Sequence, residues 1–490
     1  MEHTRMSLRQ PQRTRNAGRH AVVIGASMAG LLAGRVLSEH FEQVTIIERD
    51  RISRDTEARK GVPQARHVHV LLKKGASLLT EFFPDLSSTL VLSGAPYVDS
   101  IDDVRWYHYG VWKARFPSEI RGYSQSRPLL EKSVRDCVSA RANIHFIDAC
   151  DVTGLLASSD HTRVIGVQLL YRSADHHEEE LLADFVVDAS GRGSKAPQWL
   201  MSLGYDQVRE TTVKVDIGYA SRIYRHPNQT LDWKALIIYP TPPGEKRGGY
   251  VVPIENDCWI VTLVGWLRDY PPHNEQGFLD YAKSLQVPDL YEAIKDAEPV
   301  TPIVTYKFPA SQRRHYEQMS RFPEGLMILG DAACSFNPIY GQGMTTAALE
   351  ASTLNDCLCQ RRRNAGEGNP IRLTQHCQRA IAKVVKVPWL LATSEDFHYP
   401  ETIGKRPKGM RLLNWYIGKV HALVGSYPLA TLRFYEVLHM LKPPMTLFEP
   451  GILFAVFFKR RFMLRSHELD MNPHHSLQRH HVRVLERLKH

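Results

Sequence analysis

The sequence predicts an α/β fold in which a parallel-sheet domain carries an inserted, mostly antiparallel β-sheet domain and ends in a helical region. Three observations predict it. Ala21 to Glu48 runs strand, glycine turn, helix, strand within about 30 residues. Two further apolar strands, one from Asp184 and one from Leu326, break into small-residue loops, as strands of one buried sheet do. Between them β-branched and aromatic runs alternate with Pro/Gly turns, and beyond Gly366 the pattern becomes helical.

Ala21 to Ile24 is short and wholly apolar, the mark of a buried parallel strand. Gly25 permits a sharp turn, and Gly30 and Gly34 let the following helix approach the sheet. Amides around Ser27 and Met28 open that helix, where a diphosphate would be held. The helical pattern ends near His40, and Val44 to Ile47 then stops at Glu48, where a dinucleotide's ribose hydroxyls would sit. Ser27 replaces the middle glycine of G-x-G-x-x-G. The same run, Gly25-Ala26-Ser27-Met28-Ala29, falls one glycine short of the hydrolase nucleophile elbow. An elbow follows several earlier strands, whereas only a polar tail precedes this one, so a hydrolase is disfavoured.

The chain has 490 residues, enough for at least two domains, and its 43% hydrophobic content suits a globular protein. A formal net charge of +10 would suit nucleic acid, acidic lipid or an anionic cofactor. Its basic clusters, Arg361-Arg362-Arg363 and Lys459-Arg460-Arg461, lack interleaved aromatics, which argues against a nucleic-acid module. Met1 to His20 is rich in Arg without an apolar core and reads as a disordered basic tail, not as a signal or spanning segment. Seven scattered cysteines make no disulfide framework, so a reduced, cytoplasmic setting is expected. His67 with His69, and His176 with His177, have no second cluster at ligand spacing, so no metal is expected.

After Glu48 a basic loop leads into a helix; Arg59, Lys60 and Arg66 could offset phosphate charge, and Gln64 or His67 could approach a reactive ring. Pro96 to Pro117 is β-like and crowded with aromatics, fit either for a pocket wall or for a sheet core. Ser124 to Val138 reads as a helix start with Pro128 early and Arg127 beside it, placed to reach a phosphate or ribose. Asn143 to Leu155 and Arg163 to Leu170 read as strands, followed by an acidic turn from His176 to Glu180. Asp184 to Ser194, DFVVDASGRGS, returns to the first sheet. Thr212 to Tyr224, Ala235 to Tyr239, Gly249 to Ile254 and Trp259 to Trp266 form the antiparallel domain, with one helix from Gly277 to Leu285. Leu326 to Gly330 runs into Asp331, an acid placed for a ribityl or ribose hydroxyl, and on through Gly341, Gly343 and Met344 into a helix from Thr345 to Arg362. Met445 to Phe458 is apolar but, at 14 residues and broken by Pro450-Gly451, too short to span a bilayer. It suits a core-covering helix or a monotopic contact, with three cations after it for acidic headgroups.

Taken together, GASMAG with Glu48, the DASGRGS loop and LGDAACSFNPIYGQGMTTAALEA resemble the three flavin segments of the para-hydroxybenzoate hydroxylase-like FAD monooxygenases. Within that superfamily RKGVPQARHVHVLLKKG, Leu203 to Tyr224, and PWLLATSEDFHYP are similar to bacterial olefin epoxidases of polyether biosynthesis, distant relatives of squalene epoxidase. The resemblance covers roughly Arg19 to Arg460 and implies a Rossmann-like FAD-binding domain of the glutathione reductase type over 20–75, 120–195 and 321–365. It further implies a substrate domain over 76–119 and 196–320 and a C-terminal helical region over 366–490. FAD contacts implied by it are Gly25, Ser27, Met28, Gly30, Glu48, Arg49, Arg59, Arg127, Val152, Asp331, Gly341, Gly343 and Met344. It implies one oxygen atom passing from O2, through a flavin C4a-hydroperoxide, to an alkene of a lipophilic polyene or isoprenoid-like substrate. His67 and Gln64 are candidate polar groups at the flavin edge. DASGR stands where many aromatic hydroxylases carry an Asp-Gly pair that helps with NAD(P)H, which leaves direct NAD(P)H use and a separate flavin reductase both open. The rival classes are an aromatic hydroxylase, a geranylgeranyl reductase-like double-bond reductase and a halogenase. The last is disfavoured because Tyr250-Val251-Val252-Pro253 lacks the tryptophans of Trp-x-Trp-x-Ile-Pro.

Overall fold

The computed structural model describes residues 17–53, 55–56, 59, 61–172, 177–227, 231–364 and 372–458. The first sixteen residues of the expected tail, Lys60, His176, the side chains of Arg362 and Arg363, and Lys459-Arg460-Arg461 lie outside the described residues. Strand β1 (Gly18–Ile24) passes into helix α1 (Met28–Leu37) and strand β2 (Phe41–Ile47). β1 starts three residues before its apolar run because Gly18 and His20 already pair with Phe41 and Gln43. Helix α2 (Arg127–Ser139) leads to β3 (Ile144–Ile147), and β4 (Phe185–Asp188) and β5 (Leu326–Ile328) complete a five-stranded sheet in the order β5-β4-β1-β2-β3. All its pairings are parallel. Ala21, Val22, Val23, Val186, Val187, Leu326 and Met327 are buried in it, which is why these strands read as unbroken apolar runs.

Register fixes the site. Ile24 lies beside Ile47 and Asp188, and Asp188 beside Ile328, so Gly25, Glu48 and the loops after β4 and β5 emerge from one edge. That is the carboxyl edge, where open α/β sheets bind ligands.

The stretch expected as one strand from Asn143 to Leu155 is two. The chain bends at Ala149, whose φ is 48°, and Cys150–Ala157 joins a separate antiparallel sheet with Val164–Tyr171 and Glu178–Leu182. The acidic run expected as a turn is therefore this sheet's outer strand. Its glutamates are exposed, as charges on an edge strand should be. The large sheet has eight strands, with Glu210–Arg225 between Val304–Arg314 and Cys258–Gly265. Val104–His108 pairs in parallel with Ala235–Ile238, and Cys334–Ser335 closes the opposite edge on Gln312 and Arg313. Through that last pairing the loop after β5 is stitched to the large sheet. A second short helix, Asp289–Ile294, follows the expected one, which spans Glu275–Lys283.

Helix α3 (Gly343–Asn364) packs on α1, and helix α4 (Leu373–Asp396) lies against α3. Helices Met410–Leu423, Pro428–Leu438 and Pro450–Phe458 follow, enclosing Tyr416, Val420, Val437 and Ile452. Pro450 opens the last helix, where its missing N–H costs nothing. Among the described residues no helix is long and apolar enough to cross a membrane.

Candidate functional site

A cleft of about 450 Å³ runs along the carboxyl edge of the parallel sheet, between that sheet and the large one. Its wall includes Gly25, Ser27, Met28, Glu48, Arg49, Gln64, Arg127, Val152, Asp331, Gly341, Gly343 and Met344. The sequence motifs thus converge although more than 300 residues separate Gly25 from Met344. Four other expected site residues, Gly30, Arg59, Arg66 and His67, are not on this wall.

Gly25 turns with φ +98°, and a side chain there would stand 2.7 Å from the Ala189 carbonyl oxygen. A Cβ on Gly30 would strike the Gly25 carbonyl, so Gly30 acts one layer behind the cleft, seating α1 under the turn. Ser27 holds the N-cap position in extended conformation, yet its hydroxyl does not cap α1. Instead Ser27 Oγ donates to Glu131 Oε2 at 3.2 Å and accepts from Arg127 Nη2 at 3.0 Å. The first amides of α1 are thereby left without their side-chain cap at the cleft wall, an anion site with the positive end of the helix dipole behind it.

Arg59 lies beneath this turn. Its Nη1 stands 2.6 Å from Glu48 Oε2, and its Nη2 donates to Glu131 Oε1 at 2.5 Å and to the Ala26 carbonyl at 3.0 Å. Glu48 Oε2 also accepts the Ala26 N–H at 2.9 Å, fixing the turn to the end of β2. Arg127 joins Glu131 through Nη2 at 3.0 Å. Two cations and two carboxylates are thus buried together. Burial pushes the Glu131 carboxyl up, but Arg127 and Arg59 more than offset it and hold it below the ordinary range. For Arg59, Glu131 and Glu48 likewise outweigh burial. Glu131 is a site residue that the sequence reading missed, although Arg127 four residues earlier on one helix was a usable signal.

In the DASGRGS loop Asp188 accepts from the Ser190 hydroxyl and the Ser194 hydroxyl, each at 2.5 Å, which folds the loop back over the end of β4. This brings Arg192 to the cleft, stacked 4.7 Å from the Phe308 ring, with Nη1 buried and lacking a hydrogen-bond partner. Asp331 is open to the cleft but crowded by protein on its other sides; burial pushes its carboxyl up, while Arg127 and Arg192 pull it down.

At the other end the wall is Gln64, His69, Val70, Tyr306, Phe308, Phe336 and Pro338. His67 is turned away toward the large sheet, where its Nδ1 shares a hydrogen bond with Ser221 Oγ at 2.7 Å. Burial, helped by Arg66, pushes it down to about 4. Burial and Arg127 push His69 down to about 3. Both rings are therefore neutral at neutral pH. Of the two roles open to Pro96 to Pro117, the structure gives it the sheet core: none of its residues lines this cleft, and Trp106 lies in a buried cluster with Ile101 and Val104.

These groups fit FAD. The uncapped amides of α1 with Arg127 suit the diphosphate, Glu48 and Asp331 supply acceptors for sugar and ribityl hydroxyls, and the turn before α3 brings helix-end amides to the ring. FAD, when bound, supplies two-electron chemistry and the activation of dioxygen. Around it Tyr306, Phe308 and Phe336 would exclude water, Pro338 and Gly341 would orient the ring, and the start of α3 would offer partial positive charge.

The FAD binding domain family matches residues 19–386. Protein Rv3254 of Mycobacterium tuberculosis is 34% identical over 396 residues, covering 79% of this chain and 82% of its own. A kynurenine 3-monooxygenase of Salinispora tropica is 25% identical over 358 residues, 69% of this chain and 72% of its own. Among solved structures, the flavin-dependent brominase Bmp2 superposes with a TM-score of 0.64 at 13% identity over 92% of this chain and all of its own, a likeness of fold. With the cleft geometry, these similarities establish that the chain belongs to the FAD binding domain family and is an FAD-dependent oxidoreductase.

Proposed function

We propose that the protein is a monooxygenase transferring one oxygen atom from O2 to an alkene of a lipophilic, polyene or isoprenoid-like molecule, as its resemblance to the polyether-type epoxidases implies. The observation that carries this reading is the ring end of the cleft: it is lined by aromatic rings, and burial lowers its nearest histidines to about 4 and about 3, which makes them poor proton acceptors. Hydroxylating a phenol calls for a base to raise ring nucleophilicity. An alkene is attacked by electrophilic oxygen without one. FAD is held by Gly25, Ser27, Met28, Glu48, Arg49, Arg127, Val152, Asp331, Gly341, Gly343 and Met344, with Gly30 and Arg59 supporting the turn. The large sheet, most of whose strands fall within 76–119 and 196–320, forms the substrate side. Electrons come from NAD(P)H, directly or through a separate flavin reductase.

A second reading, hydroxylation of an aromatic ring, draws on the kynurenine 3-monooxygenase relatives. Incubating the FAD-loaded protein, a flavin reductase and a polyene-lipid extract with oxygen present or excluded separates these from a double-bond reductase. Oxygen-dependent products 16 mass units heavier support oxygen transfer; products gaining two hydrogens without oxygen would refute it. His67→Ala should leave product formation within a few-fold on the alkene reading. Abolished turnover with intact FAD binding would favour the phenol.

The C-terminal helices fit peripheral contact with an anionic bilayer. Leu412, Trp415, Phe454 and Phe457 are 70%, 48%, 63% and 56% exposed, with the Trp415 and Phe457 rings 6.1 Å apart. From Thr402 to Tyr435 there are six Lys or Arg and no acid, the charge that acidic headgroups attract. Co-sedimentation with phosphatidylserine vesicles but not phosphatidylcholine vesicles is expected, and loss of it in Trp415→Ser. Equal recovery from both would refute charge-guided contact.

A further inference from the structure

The turn that presents Gly341 and Met344 to the flavin is held from two sides. On the sheet side, Ser311 Oγ accepts the Asn337 N–H at 3.1 Å, Tyr219 donates its hydroxyl to Asn337 Oδ1 at 2.8 Å, and Tyr239 donates to the Ile339 carbonyl at 2.9 Å. Asn337 Oδ1 also accepts the Ile339 N–H, starting the short helical turn Pro338–Tyr340 that ends in left-handed Gly341. On the far side stands a single carboxylate. Asp396, the last residue of α4 and fully buried, accepts at Oδ1 from Asn337 Nδ2 and from the Tyr340 hydroxyl, both at 3.0 Å. Its Oδ2 has no partner. Asp396 lies beyond the family match, which ends at residue 386.

We infer that Asp396 is a positioning residue for the flavin, a charge-dependent latch through which the C-terminal region holds the Asn337–Tyr340 turn in its cofactor-binding shape. A buried carboxylate with two donors on one oxygen and none on the other has no cation to neutralise it, so only those donors hold its charge. The ionisable groups facing it are Tyr219 from the large sheet, Tyr340 on the turn, and Glu395 and Tyr399 on or just after its own helix. None is cationic. Burial pushes Asp396 up to about 7, against the pull of Asn337 and Tyr340, with Glu395 adding to the rise. Above that pH the ionised latch is strong; below it a proton goes to the unpartnered Oδ2, the two hydrogen bonds at Oδ1 lose their charge assistance and the turn loosens.

The test is FAD affinity of the purified apoprotein, followed by flavin fluorescence on either side of about pH 7. Wild-type protein should bind roughly tenfold more weakly on the acid side, the loss of a charge-assisted hydrogen bond. Asp396→Asn keeps the shape and the Oδ1 acceptor and should bind with the weak, acid-side affinity at both pH values. Tyr340→Phe, which leaves Asp396 in place, should reduce the step. A wild-type affinity that is flat through this range, or a step that persists in Asp396→Asn or is undiminished in Tyr340→Phe, would overturn the inference. Neither result bears on whether the protein binds FAD.

Discussion

Arg59 and Asp331 show how one cleft assigns opposite work to charged residues. Arg59 spends its guanidinium on Glu48 and Glu131 under the turn, so it orders the site rather than touching the phosphates. Replacing it with Met strands the buried carboxylate of Glu48 and leaves Glu131 with Arg127 alone, and breaking such a buried pair costs about 3–5 kcal/mol; urea unfolding should show a loss of that order, and a loss below about 1 kcal/mol would mean that the cluster is not coupled. Asp331 faces the cleft, so Asp331→Ala should leave unfolding nearly unchanged and weaken FAD binding by roughly 1.5–3 kcal/mol, one charge-assisted hydrogen bond. Glu131 sets the acid limit. Its pKa is depressed in the folded state, so its contribution to stability is present above the ordinary value of 4.5 and is lost as pH falls through the folded value. Glu131→Gln should flatten stability against pH in that acid range, and an unchanged slope would remove Glu131 from the explanation.

At the level of elements, β1, α1 and β2 were readable because each device is local: an apolar run, a glycine with positive φ, an acid at a strand end. Gly30→Ala tests this most sharply, since the added methyl collides with the Gly25 carbonyl. We expect that variant to lose FAD binding along with stability, and a normal affinity would show that α1 can shift freely. Where structure depends on distant partners, the reading failed. The break at Ala149 and the strand Glu178–Leu182 follow from pairing with Val164–Tyr171, which no local pattern announces. Arg192 and Asp396 have the same cause: each is an ordinary charged residue until a loop or a helix end brings it to the flavin turn or the cleft. His67 stood in a persuasive sequence context, yet Ser221 on the large sheet draws its ring away.

Across the whole molecule, the C-terminal helices are bound into the rest by packing and by charge. Leu447, Ile452 and Ala455 are buried against the two preceding helices, so truncation before Met445 should expose that cluster and give insoluble or inactive protein. A soluble, fully active truncation would show the segment to be dispensable. The latch on the flavin turn sits just before these helices, at the end of α4 and ten residues past the family match, so the cofactor site draws on the C-terminal region as well as on the family domain. Oxygen transfer itself is decided by isotope. Turnover of a polyene-lipid extract under 18O2 in ordinary water should give products carrying one heavy oxygen, and turnover in labelled water under ordinary O2 should give none. Products labelled from water, or lacking new oxygen altogether, would contradict a monooxygenase.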